Sequence, residues 1–382
     1  MNTQKQNRIK ILDILRGFAI LGTLGTNIWI FAHLGDLNAM LTDPNKVWWS
    51  SLDTFISTIV LFLVNGKFLG LLAIMFGVGL ELKYQQSVRK GNPWPGMYIW
   101  ISIILMVEGF LHFMLVMEYD ILMSYALTAI IVAFIVKAGE KSIKRAMIGF
   151  GSIHVLVYLG ILYLQFSGAQ ITGGDATEVI SLYQNGTWLE QVFYRLNNFV
   201  ELRFELILAF SSNIFLFLTG VLLMRKGAFS SDEKGRKIRS KMLKFGLLVG
   251  IPLNMLLLVP GGYFDIIVRY VFAPVLSIGY MGLLAHLVEK QEKWVLWRWL
   301  GQTGKMSLSC YVLQNILCSI IFYGWGMSLG GKVNSITIIG IWIIIMFFQI
   351  TFTSIWMRFF ALGPMEIARK KAAGMISPTS GK

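Results

Sequence analysis

Glu108 and His112 stand four residues apart inside a long apolar run, EGFLHFMLVMEYDILMSY, which covers residues 108–125. Residues i and i+4 lie on the same face of an α-helix, so the carboxylate of Glu108 is predicted to reach and orient the imidazole of His112. Ionisable groups are costly to bury inside a membrane span, and they usually mark a functional site there. His112 is therefore the candidate general base, and a buried structural histidine is the alternative.

The same run continues with two acids at a turn, Glu118 and Asp120, and with Tyr125 in the next apolar segment. The turn carries no Lys or Arg and is therefore predicted to face outward. Asp120 and Tyr125 are predicted to line the outer mouth of a site at His112 and to help place a substrate there.

Three polar residues stand on the first apolar segment. Asp13 and Arg16 are three residues apart near its start. They predict either an ion pair at a helix end, with Arg16 snorkelling to the interface, or an anion site, because guanidinium suits phosphate. Asn27, three turns beyond Arg16, predicts either an interhelical hydrogen bond or a donor that stabilises a developing oxyanion.

Lys67 follows Asn65-Gly66 near the middle of the second apolar segment. A lysine at the bilayer centre costs about 2.5–3.5 kcal/mol on insertion scales, so it needs a partner or a wet cavity. Glu108 and Asp53 are the candidate partners. Lys67 is predicted either to form a structural ion pair or to stabilise an oxyanion together with Asn27, and the sequence leaves both roles open.

The remaining histidines and the two cysteines predict structural roles. His33 ends the first apolar segment, and no acid accompanies His154 one turn away. Cys310 and Cys318 fall on one predicted helix about 12 Å apart, too far for a disulfide, and are expected to be apolar fillers. No metal-ligand pattern, glycine-rich phosphate loop or nucleophile elbow is present, so no metal is expected.

The composition is that of a membrane protein. Of 382 residues, 55% are hydrophobic and 14% are charged, against roughly a quarter charged in soluble domains. Apolar runs of about 20 residues, enough to cross a bilayer, recur along the whole chain. The net charge of +14 comes from Lys and Arg in alternate loops. This positive-inside pattern argues against nucleic acid as a partner and favours anionic membrane lipids.

We therefore predict an all-α, polytopic membrane protein with about ten transmembrane helices and both termini in the cytoplasm. Residues 1–382 form a single integral membrane domain, and the first span, about 11–32, is expected to remain uncleaved. The second span, about 54–80, must be tilted or broken at Asn65-Gly66-Lys67. The longest outer segment, about 166–202, is long enough to form a lid or a surface helix over a site.

Five stretches resemble the YeiB-type family of bacterial polytopic membrane proteins, whose C-terminal half is catalogued as a domain of unknown function. They are RIKILDILRGFAILGTLGTNI, LVNGKFLGLLAIMFGVGLELK, GFLHFMLVMEYDILMSYAL, GKMSLSCYVLQN and GPME. The match covers the chain in order and is poorest over 137–203. It implies an N-terminal half of about 1–140, a C-terminal half of about 204–370 and a location in the bacterial cell membrane.

That family is in turn similar to transmembrane acyltransferases, including the heparan-glucosaminide N-acetyltransferases and the acyltransferase-three O-acetylases. The similarity rests on Asp13, Arg16, Gly17 and Asn27. It implies cytosolic acyl-CoA, such as acetyl-CoA, as donor, held by Arg16, and an extracytoplasmic glycan or lipid acceptor. The acyltransferase-three pattern places a histidine eleven residues after the arginine, where this chain has Asn27. His112 is the candidate replacement.

The rival prediction is a transporter or flippase for a small polar or lipidic solute. Lys67, Glu108 and Asp120 would then be substrate or proton-coupling sites, and a broken second span is typical of transporters. The absence of an internal repeat argues against it. An acyltransferase needs a cleft that links both faces at His112, whereas a transporter should be closed to one side. A structural or sensory subunit, the acyl group, the acceptor and a homo-oligomer are left open by the sequence.

Overall fold

The computed structural model describes residues 2–41, 47–168 and 175–376, except for the side chains of residues 2–9, 205, 206 and 376. Within these ranges the chain is helical and contains no strand, as predicted. The α-helices are α1 Asn2–Ala32, α2 Leu52–Val64, α3 Lys67–Arg89, α4 Met97–Leu115, α5 Leu122–Lys137, α6 Glu140–Phe166, α7 Thr177–Asn185, α8 Trp188–Asn197, α9 Phe199–Leu202, α10 Phe204–Arg225, α11 Glu233–Met255, α12 Asp265–Ile267, α13 Ala273–Lys290, α14 Val295–Lys305, α15 Ser307–Phe322, α16 Ser335–Trp356 and α17 Pro364–Ile376.

Eight helical segments of the described chain are long and apolar enough to cross a membrane. A ninth is the pair α14 and α15, which bend by 86° at Met306. The fourth predicted span is α5, which has only 16 residues and is therefore about 24 Å long. The chain is thus a multi-pass helical membrane protein. We call the side of the basic loops the inner side and the opposite side the outer side.

The second span is broken where the sequence predicts it. Asn65 is extended, and Gly66 adopts a left-handed conformation with φ 75° between α2 and α3. A Cβ on Gly66 would lie 2.4 Å from the carbonyl oxygen of Arg269, which belongs to a π-helical turn over 268–272. Glycine therefore satisfies both the backbone conformation and the close approach of the neighbouring segment.

Helix α1 runs through the protein interior, with 89% of its most apolar window buried. Its contact with α14 depends on two small residues. A Cβ on Gly17 would lie 2.0 Å from the carbonyl oxygen of Leu300, and one on Gly304 would lie 1.8 Å from that of Asp13. This close approach holds Asp13 and Arg16 against the C-terminal part of α14, next to the bend.

The outer segment forms surface helices α7, α8 and α9; its residues 169–174, including Gly173-Gly174, lie outside the described part. A capping box at Thr187 and Glu190 begins α8, and hydrogen bonds from the backbone and hydroxyl of Thr187 lower the pKa of the Glu190 carboxyl. The indole of Trp188 donates to the carbonyl of Leu115 at 2.9 Å. These helices therefore cover the outer end of α4 and the turn that follows it.

Candidate functional site

Four buried polar side chains from three parts of the sequence form a chain of contacts that includes His112. Its Nδ1 lies 3.0 Å from Oδ1 of Asp120, and its Nε2 lies 3.2 Å from the amide nitrogen of Asn315. The amide oxygen of Asn315 accepts a hydrogen bond of 3.1 Å from Asn27. His112 and Asn27 are 4% and 6% exposed, and the other two are fully buried. We call these residues the polar chain.

The contacts of the polar chain define one direction for its protons. The amide nitrogen of Asn315 can only donate, so Nε2 of His112 accepts and Nδ1 carries the hydrogen, with Asp120 at ion-pair distance. This tautomer is assigned from the heavy-atom contacts. With its hydrogen on Nδ1, the imidazole has Nε2 as its basic atom. His112 is thus arranged as a general base would be.

The turn after α4 brings Asp120 back beside His112. Gly109 makes this approach possible, because a Cβ there would lie 2.6 Å from the backbone nitrogen of Met123 and 2.9 Å from Oδ2 of Asp120. The backbone N–H of Met123 donates to Oδ2 at 3.1 Å. Arg203 donates to the carbonyl oxygen of Asp120 at 2.9 Å, and its guanidinium lies 4.0 Å from the ring centroid of Phe113. Asp120 is therefore held from several sides.

The carboxylate beside His112 is Asp120 and not Glu108, so the prediction that Glu108 orients the imidazole is wrong. Glu108 accepts hydrogen bonds from Arg369 at 2.8 and 2.5 Å. Side chains of a helix lean toward its N-terminus, so Glu108 leans away from His112, toward the inner side. There α17 packs on α4 and supplies the guanidinium.

Lys67 does not meet either of its predicted partners. Glu108 pairs with Arg369, and Asp53 accepts a hydrogen bond from the backbone of Ser335 at 2.6 Å. Lys67 is 1% exposed, and its ammonium lies 5.6 Å from the ring centroid of Phe62. No carboxylate of the described side chains lies within ion-pair distance of it.

Two of the cavities in the described part of the chain meet at one residue from opposite sides. The inner cavity, of about 340 Å³, has mostly apolar walls from α3, α4 and α5 and includes Arg16, Lys83 and Arg369 in its lining. The outer cavity, of about 120 Å³, lies beneath the outer surface helices and is lined by polar and apolar groups. Ile121, the residue after Asp120, lines both cavities.

The predicted binding residues divide between these cavities. Arg16 lines the inner cavity and pairs with Asp13 at 3.3 Å. The ion pair therefore does not prevent Arg16 from facing a ligand in that cavity. Asn27 and Tyr125 line the outer cavity, and the Tyr125 hydroxyl donates to the carbonyl of Leu69 at 2.9 Å. Asp120 was expected at the outer mouth, but it is fully buried against His112.

Several contributors were not predicted as site residues. Asn315 and Tyr311 lie in the stretch GKMSLSCYVLQN, which the family resemblance had singled out; the Tyr311 ring centroid is 5.1 Å from that of His112. Arg203 and Arg369 contribute as well, although neither was singled out from the sequence. Gly109, three residues before His112, carries no polar signal, and only its close contacts reveal its role.

The other candidates have structural surroundings. His154 has Nε2 3.0 Å from the carbonyl oxygen of Tyr270 and Nδ1 3.3 Å from the hydroxyl of Ser211. Cys310 and Cys318 are buried and not bonded to each other. Within the described part of the chain, no group of three or more His, Cys, Asp or Glu side chains could hold a metal ion.

Fold and site define a multi-pass, all-α membrane protein with a buried histidine–carboxylate pair next to Ile121, which lines two cavities. Residues 223–375 match the family model described as "Protein of unknown function (DUF418)". The chain is 26% identical to "Uncharacterized protein YxaH" of Bacillus subtilis, over 95% of this chain and 94% of that protein. It is also 26% identical to "Uncharacterized protein YeiB" of Escherichia coli, over 97% and 98%. No solved structure matches. The predicted resemblance to the YeiB-like family is confirmed.

Proposed function

We propose that this protein is a membrane-embedded acyltransferase that moves an acyl group from cytosolic acyl-CoA to an extracytoplasmic or lipid-linked acceptor. The observation that carries the proposal is the position of the polar chain between the two cavities, which both reach Ile121. A donor from one side and an acceptor from the other could meet there. The buried base would then be shared by two substrates that never occupy the same compartment.

The inner cavity suits the donor. Its apolar walls, from residues such as Leu72 and Leu105, fit an acyl group and its thioester arm. Arg16, Lys83 and Arg369 provide cations for the phosphates of CoA, since guanidinium and ammonium are the usual phosphate ligands. Arg16 and Arg369 each keep an acidic partner, Asp13 and Glu108, so these charges remain compensated when no donor is bound.

His112 would act as the general base. An acceptor hydroxyl or amine replaces the Asn315 amide at Nε2 and gives its proton to that nitrogen while it attacks the thioester carbonyl. The tetrahedral intermediate collapses and expels the CoA thiolate, which takes the proton from His112. Asp120 stabilises the imidazolium that exists between these two transfers. Atoms and protons balance without a metal or a redox partner.

The developing oxyanion needs hydrogen-bond donors near His112. Asn27 and Lys67 were the two predicted donors. Asn27 remains a candidate, because it bonds to Asn315 and lines the outer cavity. Lys67 lines neither cavity. Tyr311 takes its place in the proposal, since its ring lies beside His112 and the residue lines the inner cavity.

Transport of a small polar or lipidic solute is the second candidate, and the break in the second span favours it. Lys67 begins α3 directly after that break and is buried without an acidic partner among the described side chains. A solute anion could meet this charge during passage between the two cavities. The two candidates differ in what happens to the thioester bond, which only the acyltransferase breaks.

The test uses purified full-length protein in lipid with radiolabelled acetyl-CoA, followed by measurement of hydrolysis and of label in lipid and glycan fractions. Wild type is compared with His112→Gln and with His154→Gln, a matched change of a second buried histidine. We expect transfer by wild type and by His154→Gln and its loss in His112→Gln.

The other outcomes are distinct. Absence of CoA binding and of turnover with acetyl, medium-chain and long-chain donors would favour the transporter. Transfer that survives His112→Gln would retain the enzyme class and remove His112 as its base. Equal loss in both histidine variants, with both folded, would show that the assay responds to the buried structure and not to the proposed base.

A further inference from the structure

We propose that the outer cavity binds the phosphate group of a molecule that also carries a hydroxyl or an amine. Under the proposed function, this molecule is the acyl acceptor. That assignment rests on the proposed function, whereas the binding site does not. The binding site itself is argued from two buried residues that line the cavity and whose side chains have unused hydrogen-bonding capacity, Arg203 and Glu118.

Arg203 provides a cation with free donors. It is 8% exposed and lines the outer cavity. One nitrogen, Nη1, donates to the carbonyl of Asp120 at 2.9 Å, while Nε and Nη2 are buried with no hydrogen-bond partner in the described structure. No described carboxylate lies within ion-pair distance of it. A buried guanidinium with unused N–H groups is costly unless a ligand satisfies them.

Glu118 provides the complementary acceptor. It is 1% exposed and also lines the outer cavity. Its Oε2 accepts a hydrogen bond of 2.5 Å from the hydroxyl of Tyr183, while Oε1 is buried without a hydrogen bond. A ligand that fits both groups must present an oxyanion to Arg203 and a donor, O–H or N–H, to Glu118.

The remaining lining favours phosphate as the oxyanion. Arg269 adds a second guanidinium to the wall, and Glu118 is the single carboxylate of that lining among the described side chains. Ser124, Ser212 and Asn213 add neutral polar groups. The planar fork of arginine matches the spacing of phosphate oxygens. The cavity is therefore suited to a phosphorylated alcohol or amine, either free or as the headgroup of a lipid.

Arg203 also adjoins the catalytic candidate, because it holds the carbonyl of Asp120. A phosphate bound at Arg203 would thus lie next to the turn that positions His112. This closeness would place the bound molecule within reach of the site. It also means that a purely structural role of Arg203 must be separated from binding.

The experiment measures binding by detergent-purified full-length protein without any acyl donor. The probes are sn-glycerol 3-phosphate and glycerol, by calorimetry. We expect saturable binding of glycerol phosphate and none of glycerol at the same concentration. Arg203→Gln should weaken binding of the phosphate by about tenfold or more, because hydrogen bonds to a charged group are lost. Arg203→Lys should recover part of it, and Arg145→Gln, on the exposed inner part of α6, should match wild type.

A second variant guards against a folding defect. Ser212→Asp places a negative charge in the cavity wall without removing a hydrogen bond to Asp120. It should abolish binding of glycerol phosphate by repulsion while the melting temperature stays within a few degrees of wild type. Detectable and equal binding of glycerol and glycerol phosphate by wild type, or unchanged binding of glycerol phosphate in both Arg203→Gln and Ser212→Asp, would overturn the proposal.

A parallel arm distinguishes the source of the phosphate. Nanodiscs of phosphatidylcholine are doped with phosphatidylglycerol, or with a diacylglycerol of the same chains, and lipid retained by the purified protein is quantified. Retention of phosphatidylglycerol that needs Arg203, without binding of glycerol phosphate, assigns the site to a lipid headgroup and supports the proposal. Binding without any acyl transfer would remove the proposed function and leave this site. Acyl transfer to neutral acceptors without any phosphate binding would support the proposed function and remove this site.

Discussion

His112 and His154 are both buried in helices of the membrane domain, and both ring nitrogens of each have a polar neighbour within 3.3 Å. They differ in what those neighbours are. The Nδ1 of His112 faces the carboxylate of Asp120, whereas His154 faces the carbonyl of Tyr270 and the hydroxyl of Ser211. A carboxylate stabilises an imidazolium, and neutral groups do so far less. Burial of a histidine is therefore not by itself a sign of chemistry.

The two histidines also differ in their distance along the chain from a residue that lines the cavities. The acid beside His112 precedes Ile121, which both cavities reach. His154 instead connects α6 to the π-helical turn at Tyr270 and to α10 through Ser211. His112 lies where substrates could arrive, whereas His154 links α6, the π-helical turn and α10. Four pairs of variants test this distinction.

The largest effect is expected for the histidines themselves. His112→Gln should lower the rate of acyl transfer by about 10²–10⁴-fold, the usual contribution of general base catalysis. His154→Gln should leave the rate close to wild type and act on the melting temperature. Initial rates at saturating donor decide between these outcomes. A rate loss of the same size in both variants would contradict the distinction.

The next effect concerns the two acids that could serve His112. Asp120→Asn should lower the maximal rate by about 10²-fold, because the carboxamide does not stabilise the imidazolium. Glu108→Gln should leave the rate nearly unchanged and reduce the free energy of unfolding by about 1–3 kcal/mol, since it weakens the hydrogen bonds to Arg369. Rate and chemical unfolding are measured on both. If Glu108→Gln is the slower enzyme, the assignment of Asp120 is wrong.

A moderate effect is expected at Gly109. Gly109→Ala brings a Cβ against the turn at Asp120 and Met123 and should lower the maximal rate by about tenfold, with an unchanged KM for the donor, because the imidazole loses its alignment. Gly160→Ala is the control, since nothing lies within 4 Å of a Cβ there. That change should stabilise α6 by up to about 1 kcal/mol. Identical behaviour of the two alanines would show that the close contact is unimportant.

The smallest effect is expected under the outer helices. Tyr183→Phe removes the hydroxyl that donates to Glu118, and it should raise the KM for the acceptor by about fivefold, the equivalent of about 1 kcal/mol for one hydrogen bond. The maximal rate should stay the same. Tyr163→Phe, at a tyrosine that is 72% exposed, is the control. A change in rate with no change in KM would place Tyr183 in the catalytic arrangement instead.

The sequence predicted the membrane fold well, because the length and composition of apolar segments directly report the thickness they must cross. It also predicted the break at Gly66, since Asn65-Gly66-Lys67 interrupts an otherwise continuous helix. The 86° bend between α14 and α15 has a weaker signal, because Gly301 and Gly304 precede it but no proline or Asn-Gly pair marks the break. The number of spans depends on whether the short helix α5 and the bent pair each count as one span, and composition alone does not decide this.

The candidate site could be predicted only in part. His112 and Asn27 stood out because each is a polar group within an apolar helix. The i, i+4 rule favoured Glu108, but it describes one helix and cannot represent the turn that returns Asp120. Asn315 lies 203 residues from His112, so its contact depends on tertiary packing that one sequence does not reveal.

The most direct test of a site shared between two compartments is transfer in sealed vesicles of bacterial total lipid extract. The protein is inserted in one known orientation, and radiolabelled acetyl-CoA is supplied only to the basic side or only to the outer side. Label should enter the lipid fraction when the donor faces the basic side, fail to enter when it faces the outer side, and disappear with His112→Gln. Equal transfer from both sides, or transfer unaffected by His112→Gln, would contradict the account.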